Sequence, residues 1–236
     1  MKRVFGVVVL AMALGLVPAF SLRLEAQSGA QIASKENLDL PYDAYGSNQE
    51  EEDAPEVVFF YGQQYEGDGF FFCLDRSGST RGSGIAIEKR ETIQTISQFS
   101  KHVEFAIVFY DRSLMKWPGH GRPAEASSGM KSSAISWLSA INAGSGTCTR
   151  EGLLAAISFA NRASTQRNQI IYLGDGKTTC PGHNASQYGQ QTLAAVAAAN
   201  YKNHKLSSIC AGSSVDEAWC QALASATGGK YTRLTQ

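Results

Sequence analysis

The stretch Phe70-Phe71-Phe72-Cys73-Leu74-Asp75-Arg76-Ser77-Gly78-Ser79 runs five apolar residues into an acid and then two hydroxyls spaced by one residue. A short, wholly apolar run predicts a strand buried on both faces, the kind found midway across a parallel sheet. Such a strand presents whatever follows it at its carboxyl end, where open α/β sheets bind ligands. Asp75, Ser77 and Ser79 offer hard oxygen atoms there without a dense cluster of negative charge. That donor set suits a small hard cation such as Mg2+, which takes about six oxygens at about 2.0–2.1 Å and keeps several waters.

Two further segments repeat the theme. Gly144-Ser145-Gly146-Thr147-Cys148-Thr149 is a hydroxyl-bearing loop placed just before Leu153, Ala156, Ile157 and Ala160, which recur at helical spacing. Ile170-Ile171-Tyr172-Leu173-Gly174-Asp175-Gly176 is another short apolar run ending in an acid between glycines. With Asp-x-Ser-x-Ser, Gly-x-Thr-x-Thr and strand-Asp-Gly in this order, the chain resembles a von Willebrand factor type A domain carrying a metal-ion-dependent adhesion site. Phe109-Tyr110-Asp111 and the ending Ala226-Thr227-Gly228-Gly229-Lys230-Tyr231 extend the resemblance, which covers roughly 57–236.

The resemblance implies an α/β, Rossmann-like fold. Its doubly wound, mostly parallel sheet would have six strands in the order 3-2-1-4-5-6, with a short antiparallel third strand at one edge. It also implies that Ser77, Ser79 and Thr147 ligate a divalent cation directly while Asp75 and Asp175 act through bound waters. Mg2+ is the expected ion, with Mn2+ and Ca2+ as alternatives. A cation so held is incompletely neutralised, and an Asp or Glu carboxylate from a protein partner would complete its shell. A plainer reading has Ser77 and Ser79 capping the next helix and Asp75 and Asp175 merely ending strands. It leaves Thr147 unexplained.

Around these motifs strand and helix patterns alternate, the signature of an α/β fold. Helices are expected near 83–100, 132–141, 150–164 and 190–203, and strands at 104–110, 114–117, 169–173, 205–211 and 230–234. Ser214-x-x-Glu217 reads as a capping box for a last helix ending before Gly228. Asp111 reads as the opening of a hairpin turn, and Arg76 and Thr80 as solvated loop residues. Asn184-Ala185-Ser186 is a glycosylation sequon.

Met1-Lys2-Arg3 followed by the uncharged run from Val4 to Phe20 reads as a secretory signal. Cleavage after Ser21 or after Ala26 is compatible with it, as is an uncleaved anchor. The expected organisation is a signal over 1–26, a disordered acidic linker over 27–56 containing Glu50-Glu51-Glu52-Asp53, and the domain over 57–236. The mature chain has no expected membrane span, and the protein is expected outside the cell or in its envelope. The 236 residues, 43% hydrophobic, suffice for one sizeable core. With 21 basic and 21 acidic residues the net charge is +0, which gives no electrostatic footprint for nucleic acid.

Five cysteines in an exported chain point to disulfides. If the loops meet at one cation as the resemblance implies, Cys148, beside Thr147, and Cys180, beyond Asp175, come together on the rim. The expected pairs are Cys148–Cys180 and Cys210–Cys220, with Cys73 free and buried; five reduced thiols is the alternative. Cys148, Cys180 and His183 lack the close ligand pairs usual for zinc.

Function is expected to be non-enzymatic and adhesive: a secreted domain binding a protein through its metal. A structural surface protein with an idle metal site and a metal-dependent hydrolase are the alternatives. Neither Ser77 nor Ser79 sits in a Gly-x-Ser-x-Gly elbow, and the glycine-rich run after Asp75 lacks the lysine of a phosphate-binding loop.

Overall fold

A computed structural model of the protein describes residues 54–234, so the expected signal over 1–26 and the linker as far as 53 lie outside the described residues. The described chain opens on a hairpin of β1 (Glu56–Phe60) and β2 (Gln63–Gly67). Tyr61 and Gly62 both adopt positive φ in its two-residue turn, which suits the right-handed twist of a tight hairpin. The hairpin was not anticipated: Val58 and Phe60 point inward and Val57 and Phe59 outward, but no Asn-Gly or Asp-Gly marks the turn.

Next come β3 (Gly69–Asp75), α1 (Ser83–Gln98), β4 (Glu104–Tyr110), β5 (Leu114–Trp117) and β6 (Ala124–Glu125). They are followed by α2 (Ser128–Ala140), α3 (Thr149–Arg162), β7 (Asn168–Gly174) and α4 (Ala185–Ala199). The chain then forms β8 (Lys205–Cys210), α5 (Glu217–Ser225) and β9 (Tyr231–Arg233). The main sheet runs β5-β4-β3-β7-β8-β9, the expected strand order, parallel except for β5. It has seven strands rather than six, because two-residue β6 also pairs antiparallel with β4, at Glu104 and Phe105.

β3 shows why an uninterrupted apolar run belongs in the middle. Phe70, Phe72 and Leu74 enter a core shared with the hairpin, α1 and α2. Phe71 and Cys73 enter the opposite core, beneath α3, α4 and α5. Each of the three phenylalanines is fully buried, contributing roughly 1.5–3 kcal/mol of transfer free energy. Parallel pairing on both sides, to β4 and to β7, brings the ends of all three strands to one rim.

Helix starts follow side-chain caps. Ser127 accepts the Met130 N–H ahead of α2, and Asn184 accepts the Gln187 N–H ahead of α4, which therefore begins five residues earlier than its apolar periodicity alone predicts. The capping box at Ser214 is not formed. Asp216 caps α5 by accepting the Trp219 N–H, because its own N–H is drawn to the carbonyl of Asp175. Glu217 faces Arg233 and Tyr231 instead. Among the described residues no helix is long and apolar enough to cross a membrane.

Candidate metal centre

The rim formed by the carboxyl ends of β3, β4 and β7 carries the first and third motifs, and the second loop folds against it. Asp75, the last residue of β3, is fully buried; its Oδ1 accepts the Ser77 N–H at 2.7 Å. That bond turns the chain, and a single 3-10 turn over Gly78–Thr80 brings the Ser79 hydroxyl within 2.8 Å of the Ser77 hydroxyl. Thr80 is no solvated loop residue: its hydroxyl donates to the Ser77 carbonyl and locks the turn.

Asp175 follows directly after β7. Its Oδ1 accepts the Lys177 N–H at 2.9 Å, and the Ser79 side chain lies near enough to favour its ionised form. Gly176 is needed there twice over: φ is +74°, and a Cβ would lie 2.7 Å from the Asp216 carbonyl oxygen.

The loop carrying Thr147 is held by two residues read differently from sequence. Arg76 is largely buried, and its guanidinium contacts Asp111 at 3.1 Å and the Asn142 carbonyl at 3.0 Å. Asp111 does open a turn, accepting the N–H and hydroxyl of Ser113, but its other oxygen accepts the Ser145 N–H at 3.1 Å. The Asp111 carbonyl also accepts the Cys148 N–H at 2.8 Å, and the Arg76 carbonyl accepts the Gly144 N–H. A Cβ at Gly144 would sit 1.9 Å from Asp111 Oδ2, so only glycine permits this approach. Arg76 and Asp111 are therefore struts of the second loop. Arg76 stands within the first motif, yet nothing local in sequence says that it points at another loop.

Thr147 itself is buried, and its hydroxyl is not hydrogen-bonded to the other four candidates among the described residues. Hydrogen bonds thus connect Asp75 to Ser77 and Ser77 to Ser79, Asp175 lines one cavity with Asp75 and Ser79, and the loop of Thr147 is fixed through its neighbours, Gly144 to Arg76 and Cys148 to Asp111. The Cys148–Cys180 disulfide, with Cα atoms 4.4 Å apart, ties the second loop to the segment after Asp175. It packs on Tyr188, whose hydroxyl bonds Glu151. Both sulfurs are consumed in this bridge, which rules out a zinc site of thiolates. Cys210–Cys220 is the second disulfide, and Cys73 is free and buried.

The charges of the rim are unbalanced. Burial, then the neighbouring charges of Asp175 and Asp111, pushes Asp75 up to about 7 despite its hydrogen bonds from Ser77. Burial also raises Asp175, opposed by the N–H and ammonium of Lys177. Asp111 goes the other way: burial would raise it, but bonds from Ser113 and Ser145 and the charge of Arg76 outweigh this. Of the four buried oxygens without a partner among the described residues, two belong to the motifs of the rim, Oδ2 of Asp75 and Oγ1 of Thr149 at the start of α3. Unpaired buried polar atoms are rare and costly in native folds. A cation with its bound waters would satisfy both the missing charge and the missing hydrogen bonds, so the donor set fits a hard divalent ion.

The family model of the von Willebrand factor type A domain matches residues 71–233, spanning the sheet from β3 to β9. The chain belongs to the von Willebrand factor type A family. Its structural relatives include a von Willebrand factor type A protein from Catenulispora acidiphila, 18% identical with a TM-score of 0.64; the match covers 73% of this chain and 40% of that one. BatB from Bacteroides thetaiotaomicron, 17% identical with a TM-score of 0.56, is matched over 72% of this chain and 91% of its own. The pilus adhesin SpaC from Lactobacillus rhamnosus GG is 13% identical with a TM-score of 0.57, over 71% of this chain and 28% of its own. At such identities these likenesses establish the fold. No curated protein matches the chain.

Proposed function

We propose that this von Willebrand factor type A domain is an exported, non-enzymatic module that grips a protein partner through a divalent cation. Ser77, Ser79 and Thr147 would hold Mg2+ directly, with Mn2+ or Ca2+ as alternatives, and Asp75 and Asp175 would hold its waters. When bound, the ion supplies a positive charge that its hydroxyl ligands leave largely unneutralised, so an acidic side chain of the partner is attracted to it. The protein's part is to orient five oxygen donors on loops clamped by Arg76, Asp111 and the Cys148–Cys180 bridge.

The orphaned Oδ2 of fully buried Asp75 is the observation that carries this reading, because an idle site has no reason to keep it. Two disulfides agree with an oxidising compartment outside the cytosol. The adhesin SpaC shares the fold, in keeping with a binding role. Calorimetric titration tests the site: the wild type should bind Mg2+ or Mn2+, and Asp175→Ala should lose that binding while its melting temperature without metal stays the same or rises. Equal metal affinity in the two proteins would overturn the assignment.

A further inference from the structure

Beside the rim lies a cavity of about 460 Å³, set between α1, the hairpin turn and the segments that follow β7 and β8. Tyr61, Ile87, Ala211 and Leu234 supply much of its wall, and Glu88 lines it from α1. Glu88 is anomalous. On α1 the buried stripe is Ile85, Glu88, Thr92, Thr95 and Ile96, and an acid at its second position is 5% exposed. Its Oε2 has no hydrogen-bond partner. A leucine there would avoid the desolvation of a carboxyl group, so the acid costs stability and its Oε2 gains no hydrogen bond in return.

The acids lining the cavity are Asp75, Glu88 and Asp175, against the single base Lys177. Lys177 stands next to Asp175, where it acts on that carboxylate. Burial first, then the charge of Asp75, pushes the Glu88 carboxyl well up, the behaviour of an acid without a counter-ion. Asp75 answers to the metal centre; nothing among the described residues answers to Glu88.

We propose that this cavity receives an alkylammonium group, the side chain of a partner's lysine, with Glu88, its side chain turned toward the cavity, as the acceptor. The apolar wall fits a four-carbon stem, and the ring of Tyr61 offers an aromatic face of the kind that favours a cation. One unpartnered oxygen suits the compact ammonium better than a guanidinium, whose five donors in a rigid fork demand more acceptors. Binding would supply the missing counter-charge and displace a proton from Glu88. The inference rests on the metal-mediated reading only in that the same partner would bring both groups, a carboxylate for the ion and a lysine for the cavity.

The test uses n-butylamine as the probe, in chelator and without metal, followed through the backbone amide signals of Gly84, Gly174 and Gly212. Saturable shifts at these glycines are expected, with Glu88→Gln weakening the probe at least tenfold and Glu91→Gln, on the same helix, leaving it unchanged. Butan-1-ol, equal in length but uncharged, should bind at least tenfold more weakly than the amine. No saturable shift, equal affinity in Glu88→Gln, or equal binding of the alcohol would each overturn the proposal. Mg2+ affinity of Glu88→Gln should match the wild type; a wild type that binds the amine but no metal would refute the metal centre and leave the cavity assignment standing.

Discussion

Asp75 makes the metal-free protein a pH-sensitive one, with an unusual sign. Its ordinary value of 3.8 is raised to about 7 in the folded chain, chiefly by burial. Below about pH 4 the carboxyl is protonated in both folded and unfolded chains and costs nothing. Between about 4 and 7 the unfolded chain has released the proton while the folded chain still holds it, so each pH unit removes about 1.4 kcal/mol of stability. Across roughly three units the loss is about 4 kcal/mol, and above pH 7 it levels off. Glu88 and Asp175, also raised, act in the same direction, whereas lowered Asp111 loses its contribution only in acid. In chelator, about 2.7 kcal/mol of that loss falls between pH 5 and pH 8, so the melting temperature should drop over this range by about 5–11 °C, at roughly 2–4 °C per kcal/mol for a domain of this size. Saturating Mg2+ should remove most of that fall, because the ion stabilises the ionised form, and Asp75→Asn should flatten the metal-free profile by a similar amount. A metal-free profile that is level or rises over this range, or an Asp75→Asn profile identical to the wild type, would refute the claim that Asp75 is a buried acid awaiting a cation.

Two other perturbations probe the clamps around the site. Loop entropy assigns the Cys148–Cys180 bridge, spanning 32 residues, about 3.7 kcal/mol, and the Cys210–Cys220 bridge, spanning 10, about 2.7 kcal/mol. Denaturant melts of the paired Cys→Ser variants should follow that order, and only loss of the first should also weaken Mg2+ binding in calorimetry. Arg76→Ala leaves Asp111 without its ion-pair partner in a site where the two side chains are 14% and 8% exposed, a loss of about 3–5 kcal/mol. The same variant should lower Mg2+ affinity although Arg76 touches no proposed ligand, and unchanged affinity in a folded Arg76→Ala protein would show that the second loop needs no such strut.

Much of this protein was legible in one dimension. Phe70 to Leu74 and Ile170 to Leu173 read as central strands because a strand covered on both faces has no reason to alternate, and both lie in the middle of the sheet. The acid closing each run, the hydroxyls at fixed short spacing, and the cysteines beside the loops are all local features, so they survive in sequence. What escaped was whatever depends on partners distant along the chain. The hairpin of β1 and β2 exists because Val58, Phe60 and Tyr65 cover a core that other segments build. Asp216 rather than Ser214 caps α5 because its N–H is claimed by Asp175, 41 residues earlier.

Arg76, Asp111 and Glu88 mark the same boundary at the site itself. In sequence each is an ordinary charged residue beside a turn or on a helix, and charge alone predicts exposure. Folding buries all three, gives Arg76 and Asp111 to each other, and leaves Glu88 with an oxygen that nothing satisfies. Residue type and spacing determined which oxygens could hold a cation and that they would sit at strand ends. Only tertiary structure decided which charges are compensated, because compensation is a property of distances and burial that no spacing along the chain encodes.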